Sequence, residues 1–390
     1  MRLAAMFARL TMFALLAASP AMAGEFKLGL QLDESATPIA REAALAGTAR
    51  QRESCAAPDE KREDCALDLV AAADILAGAG LFDEAERSAR MSAAIMERLR
   101  GRDHPDTGVV YGALGSILVR AGRYDAAEPV LRAALFGLEG QADADPELLA
   151  DHRMNLGIVL AEQGRLEEAE PFLRGALALR RAKLAENRRG IATAWANLGV
   201  LLDRMGRYAE ALDAHREGMK IRQQVLKPSD YDLGTSMLNI AETLARQQDA
   251  GRLLAEPYLR AGLMTREAVL NPGDPRTTLA QTMLAENLDA QGKRRAALEL
   301  YALAYAGARV GSEPDSPLRI RTEWNLARLL IDSGTGLPVA RMLYREAGRG
   351  VVARIDRAKE FDARARADLT RYRGVFAGEV RTAWALGGGG

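Results

Sequence analysis

A glycine recurs along this chain at a fixed distance, at Gly80, Gly122, Gly164, Gly206, Gly292 and Gly334, with steps of 42, 42, 42, 86 and 42 residues. The long step is two periods plus a two-residue insertion, and the missing member falls between Gln248 and Gly251. A register kept this strictly implies stacked copies of one supersecondary unit, each too small to bury its apolar face alone.

The text around each glycine defines the unit. Met154-Asn155-Leu156-Gly157 precedes Gly164 as Ala196-Asn197-Leu198-Gly199 precedes Gly206, and Leu238-Asn239-Ile240-Ala241 and Asn325-Leu326-Ala327 repeat the pattern. Five residues beyond the glycine stands Ala85, Ala127, Ala169, Ala211 or Ala297, with Ala134, Ala176 and Ala304 seven further on. Small residues at those places let two helices cross closely, so the unit reads as helix A, turn, helix B. Asp103, Asn187 and Ser229, and the pairs Asp145-Pro146, Asp274-Pro275 and Ser316-Pro317, stand where A helices should be capped. Pro129, Pro171 and Pro257 are expected in the first turn of their B helices, where a missing N–H costs little. Aromatics at 5% and the scarcity of strand-type runs point to the same all-α class.

Trp195, Leu198 and Gly199 with Gly206, Tyr208 and Ala211 resemble the tetratricopeptide repeat. The 42-residue period and the linker His104-Pro105-Asp106-Thr107 make it similar to the longer variety found in kinesin light chains. The resemblance implies an all-α, right-handed superhelical solenoid of about seven hairpins over residues 66–357. An N-terminal capping helix and cysteine loop (24–65), a C-terminal capping helix (358–386) and a glycine tail (387–390) complete the expected organisation. Tyr372, Phe376, Val380 and Trp384 recur every four residues as the apolar face of that closing helix.

Residues 1–23 read as an export signal, with Arg2 and Arg9 before the apolar run Leu10 to Ala18 and the small-x-small site Ala21-Met22-Ala23. Cleavage near Ala23 is expected to release a periplasmic or secreted chain with no integral membrane segment. In an oxidising compartment Cys55 and Cys65 are expected to join, two free thiols being the alternative. Basic and acidic residues balance at 53 each, so no global field would hold a nucleic acid.

In a tetratricopeptide stack the A helices line a groove. Asn155, Asn197, Asn239 and Asn325 would share it at one register and grip a peptide backbone, or else set the stacking of neighbouring helices. Arg120, Arg204 and Arg246, with Glu162 in the same column, would favour an acidic segment or form a solvated rim. Trp324 is a candidate interface anchor, with inter-repeat packing as the alternative. No nucleophile elbow, metal-ligand motif or phosphate loop is present, so neither catalysis, a cofactor nor a metal is expected. The expected function is an adaptor that binds an extended segment of a protein partner; the alternative is a scaffold assembling a complex or dimer through its outer helix surface.

Overall fold

The computed structural model describes residues 38–55, 62–139, 141, 144–271, 273–334, 336–356 and 363–387. The expected export signal, residues 24–37 of the expected N-terminal cap and residues 388–390 lie outside them. Sixteen α-helices and no strand occur among the described residues, in two units divided after Val225. The first unit holds α1 (Pro38–Ser54) and four hairpins: α2 (Glu63–Gly78) with α3 (Phe82–Arg100), α4 (Pro105–Arg120) with α5 (Tyr124–Leu138), α6 (Pro146–Glu162) with α7 (Leu166–Lys183), and α8 (Arg188–Arg204) with α9 (Tyr208–Val225). The second holds three, α10 (Tyr231–Ala245) with α11 (Gln248–Val269), α12 (Pro275–Ala290) with α13 (Arg294–Gly311) and α14 (Pro317–Asp332) with α15 (Leu337–Asp356), and then α16 (Ala363–Gly387).

The glycine period has a backbone cause. All six glycines adopt positive φ, from 66° at Gly334 to 82° at Gly164, where a Cβ would be strained. Where the period is interrupted, Gly251 lies inside the 22-residue α11, and a Cβ there would sit 2.0 Å from the Leu244 carbonyl oxygen. The close crossing has moved into the helix. The recurrent alanines are fully buried, as a tight A–B crossing requires.

Several boundaries differ from the sequence expectation. Asp145, Asp274 and Asn187 do cap their helices, but His104 rather than Asp103, and Asp230 rather than Ser229, accept the capping bonds from Asp106 N and Asp232 N. For α4 the reason is Pro105, which fixes the first helical position and makes its neighbour the cap. Ser316 makes no side-chain capping bond. Pro129 and Pro171 are the sixth residues of their helices and Pro257 lies deeper still, so none is in a first turn. All three are exposed, and water can take the carbonyl left by the missing N–H.

The closing helix corrects another expectation. Tyr372, Val375, Gly378 and Thr382 are buried, whereas Val380 and Trp384 are largely exposed. A four-residue step overshoots the 3.6-residue turn, so three steps rotate the side chain by about 120° and carry Trp384 off the packed face. At the other end Cys55 and Cys65 are bonded, with Cα atoms 5.5 Å apart, tying α1 to α2.

Candidate protein-binding surfaces

In the first unit the register-equivalent A-helix residues do different work. Asn155 on α6 is partly exposed and its amide makes no hydrogen bond among the described residues. Asn197, one repeat on, is 1% exposed, and its Oδ1 finds no protein partner. Arg120 reaches back to the Ala77 carbonyl at 2.9 Å and lies over the Phe82 ring at 5.8 Å. The Arg204 guanidinium donates to Glu162 Oε1 at 3.0 Å, so two members of the column expected to meet an acidic segment pair with each other.

In the second unit Asn239 is 2% exposed, with an unpartnered Nδ2. Arg246, which caps the end of α10, pairs with Glu242 at 3.0 Å. Asn325 donates to Glu286 Oε1 at 2.7 Å, and Glu286 also holds Arg321. Trp324 packs edge-on to Tyr372 at 6.4 Å, against Gly374, and so anchors the closing helix.

Three features escaped sequence reading. Arg180, Arg222 and Arg266 occupy one place in α7, α9 and α11 and are essentially fully buried. Arg180 pairs with Asp151 of α6 and fills the space over Gly190 of α8, where a Cβ would lie 1.9 Å from the guanidinium. Arg266 bonds the Arg276 carbonyl of α12 and stacks on Tyr231 of α10 at 5.4 Å. Each of these two thus spans the A helices before and after it. Their 42- and 44-residue spacing was the signal available in the sequence.

The second feature is a ladder. Glu86, Glu128, Glu170 and Glu256 each accept from the cation just after the next glycine, Arg123, Arg165, Arg207 and Lys293, and from an arginine four residues on. Lys293 beside Glu256 holds that carboxyl down, at about 2. The third is two histidines used as core. His152 fills the space over Gly112, His215 that over Gly199, and burial depresses their pKa values to about 4 and about 3.

Two open depressions complete the surface. One of 430 Å³ lies between α3, α4 and α5, where Tyr111 donates to Glu97; burial and that carboxylate raise the phenol to about 12. The other, of 440 Å³, lies between α15 and α16 beside Arg345, Arg349 and Phe376. No group of three histidine, cysteine or carboxylate side chains placed to hold a metal occurs among the described residues, and no described helix is long and apolar enough to cross a membrane.

Helical hairpins, six of the seven joined at a positive-φ glycine and paired in sequence order, define an all-α repeat solenoid. The tetratricopeptide repeat profile matches residues 66–135, 148–224 and 191–252, and the chain is a tetratricopeptide repeat protein. No curated protein matches the sequence. Among solved structures the chain is similar to the apo form of the quorum sensor NprR from B. thuringiensis, at 14% identity and a TM-score of 0.54, over 80% of each chain. It is similar to a signal-transduction ATPase with a tetratricopeptide repeat sensor from Pyrococcus horikoshii, at 13% identity and 0.53, over 90% of this chain and 54% of that one. It is also similar to the apo form of RapI, at 14% identity and 0.50, over 70% and 93%. At these identities the likeness is one of fold.

Proposed function

We propose that the chain is an exported protein-interaction adaptor whose A-helix face holds an extended segment of a partner protein. The observation that carries this reading is the asparagine column. Asn197 and Asn239, equivalent places of consecutive repeats, each keep one amide atom unbonded, and Asn155 keeps its whole amide free of partners. A buried polar atom without a partner costs about 1–3 kcal/mol, which a peptide backbone, one donor and one acceptor per residue, can recover. Asn197 in the first unit and Asn239 in the second are both covered, so a segment that reaches either must displace the side chains over it. Catalysis is not part of this reading: both cysteines are in the disulfide, and His152 and His215 are core. Export is supported by the pattern of residues 1–23 and by the bond between Cys55 and Cys65, which persists in oxidising compartments.

The test is crosslinking capture with the full chain and its Asn197→Ala/Asn239→Ala variant. The variant is expected to lose the partner while keeping its thermal midpoint, because each substitution removes an amide with a buried atom that already lacks a partner. Capture of the same proteins by both would refute the A-helix face. A second reading, assembly through the outer surface, is favoured by one observation: apolar side chains are exposed on α11, α13 and α15.

A further inference from the structure

The outer, B-helix surface changes character within the repeat series. Arg90, Arg132, Arg174, Arg216 and Arg260 hold one register place in α3, α5, α7, α9 and α11, and in α13 that place is Ala302. Its usual acidic companion four residues earlier is Leu298. Beside this gap Leu303 is 57% and Val310 84% exposed. Met264 and Leu254 on α11, and Met342 and Val352 on α15, expose apolar surface on the helices to either side. Together these side chains expose roughly 600 Å² of apolar surface, against the ~800 Å² that each partner buries in a standard interface.

We propose that this face is a homodimer interface in which the α13 helices of two copies lie antiparallel across a two-fold axis level with Ala304. The exposed α13 positions 299, 303, 306 and 310 follow the alternating four- and three-residue spacing of a helix-pairing seam. The charges select the direction. With the axis at Ala304, Glu299 meets Arg309 of the second copy and Ala302 meets Ala306, so small residues sit where the helices approach most closely. A parallel pair would instead set Glu299 against Glu299 and Arg309 against Arg309. An isologous contact of this kind uses one patch twice and closes on itself. The α13 register is self-complementary, which is what a second copy requires and an unrelated partner does not.

Because the contact uses B helices only, its test is independent of capture by the A-helix face. Sedimentation equilibrium of the full chain at micromolar concentration is expected to give twice the chain mass. Leu303→Glu is expected to give the monomer with unchanged helix content. Glu299→Arg alone and Arg309→Glu alone should each weaken association by about tenfold or more, since each places two like-charge contacts across the axis. The double reversal Glu299→Arg/Arg309→Glu should restore it. A monomer at every concentration overturns the proposal, as does a dimer indifferent to Leu303→Glu or a double reversal that fails to rescue. A monomer that floats with anionic lipid vesicles through this face overturns it too, in favour of a membrane surface.

Discussion

Asp151→Ala is expected to destabilise the first unit by about 3–5 kcal/mol, while Arg180→Met, at the other end of the same ion pair, costs about 1 kcal/mol or less. The asymmetry follows from solvent. Arg180 is fully buried, and two of its guanidinium nitrogens, Nε and one Nη, already lack protein partners. Removing Asp151 strands that charge between α6, α7 and α8. Asp151 keeps 18% of its side-chain surface exposed, so without Arg180 it can turn to water, and methionine refills the apolar channel over Gly190. Burial pushes the Asp151 carboxyl up to about 6 even with Arg180 beside it, a sign that desolvation rather than attraction dominates the pair. Urea unfolding followed by Trp195 fluorescence, with Trp324 and Trp384 changed to phenylalanine, reports this unit alone. The double variant should resemble Arg180→Met; equal costs for the two single variants would contradict the picture.

Acid should separate the wild type from a His152→Leu/His215→Leu variant by about 4 kcal/mol between pH 7 and pH 5. Both histidines have folded pKa values, about 4 and about 3, below the ordinary imidazole value of about 6.5. Their contribution is therefore full above pH 6.5, where both states are neutral. It is lost as the pH falls toward the folded values, because only the unfolded chain takes up the protons. The comparison must be made between the two proteins, since Asp74 and Asp151, both raised to about 6, act in the opposite sense. They bind protons in the folded state first and so offset part of the loss in wild type and variant alike. An identical pH dependence in the two proteins would mean that His152 and His215 are not buried as neutral core.

What could be read from the sequence was whatever the backbone dictates locally. A positive φ admits little besides glycine, and a close helix crossing admits little besides alanine, so Gly164 and Ala169 announce themselves by spacing alone. Charged residues carry no such local constraint. Arg180 at a helix end reads as solvated until the next repeat stacks over it, and Glu170 reads as a partner for Arg174 until Arg207 arrives 37 residues on. His152 and His215 escape sequence reading for the same reason, since the space each fills is made by a glycine on another helix. The predicted binding residues fared unevenly on these grounds. Spacing placed Asn155, Asn197 and Asn239 on one register, but could not tell that the second and third are covered, or that Asn325 and Arg204 are held by carboxylates of the preceding repeat. Trp324 and Tyr372 were each visible as large aromatics, and their contact was not, because α16 docks by tertiary packing outside the period.

Hydrogen exchange of the full chain, with and without its captured partner, tests the binding face most directly. An A-helix binding face predicts slowed exchange in the A helices that carry Asn155, Asn197 and Asn239, with the outer B helices unchanged. Protection confined to α11, α13 and α15, with those A helices exchanging as before, would contradict it and place the partner on the outer surface.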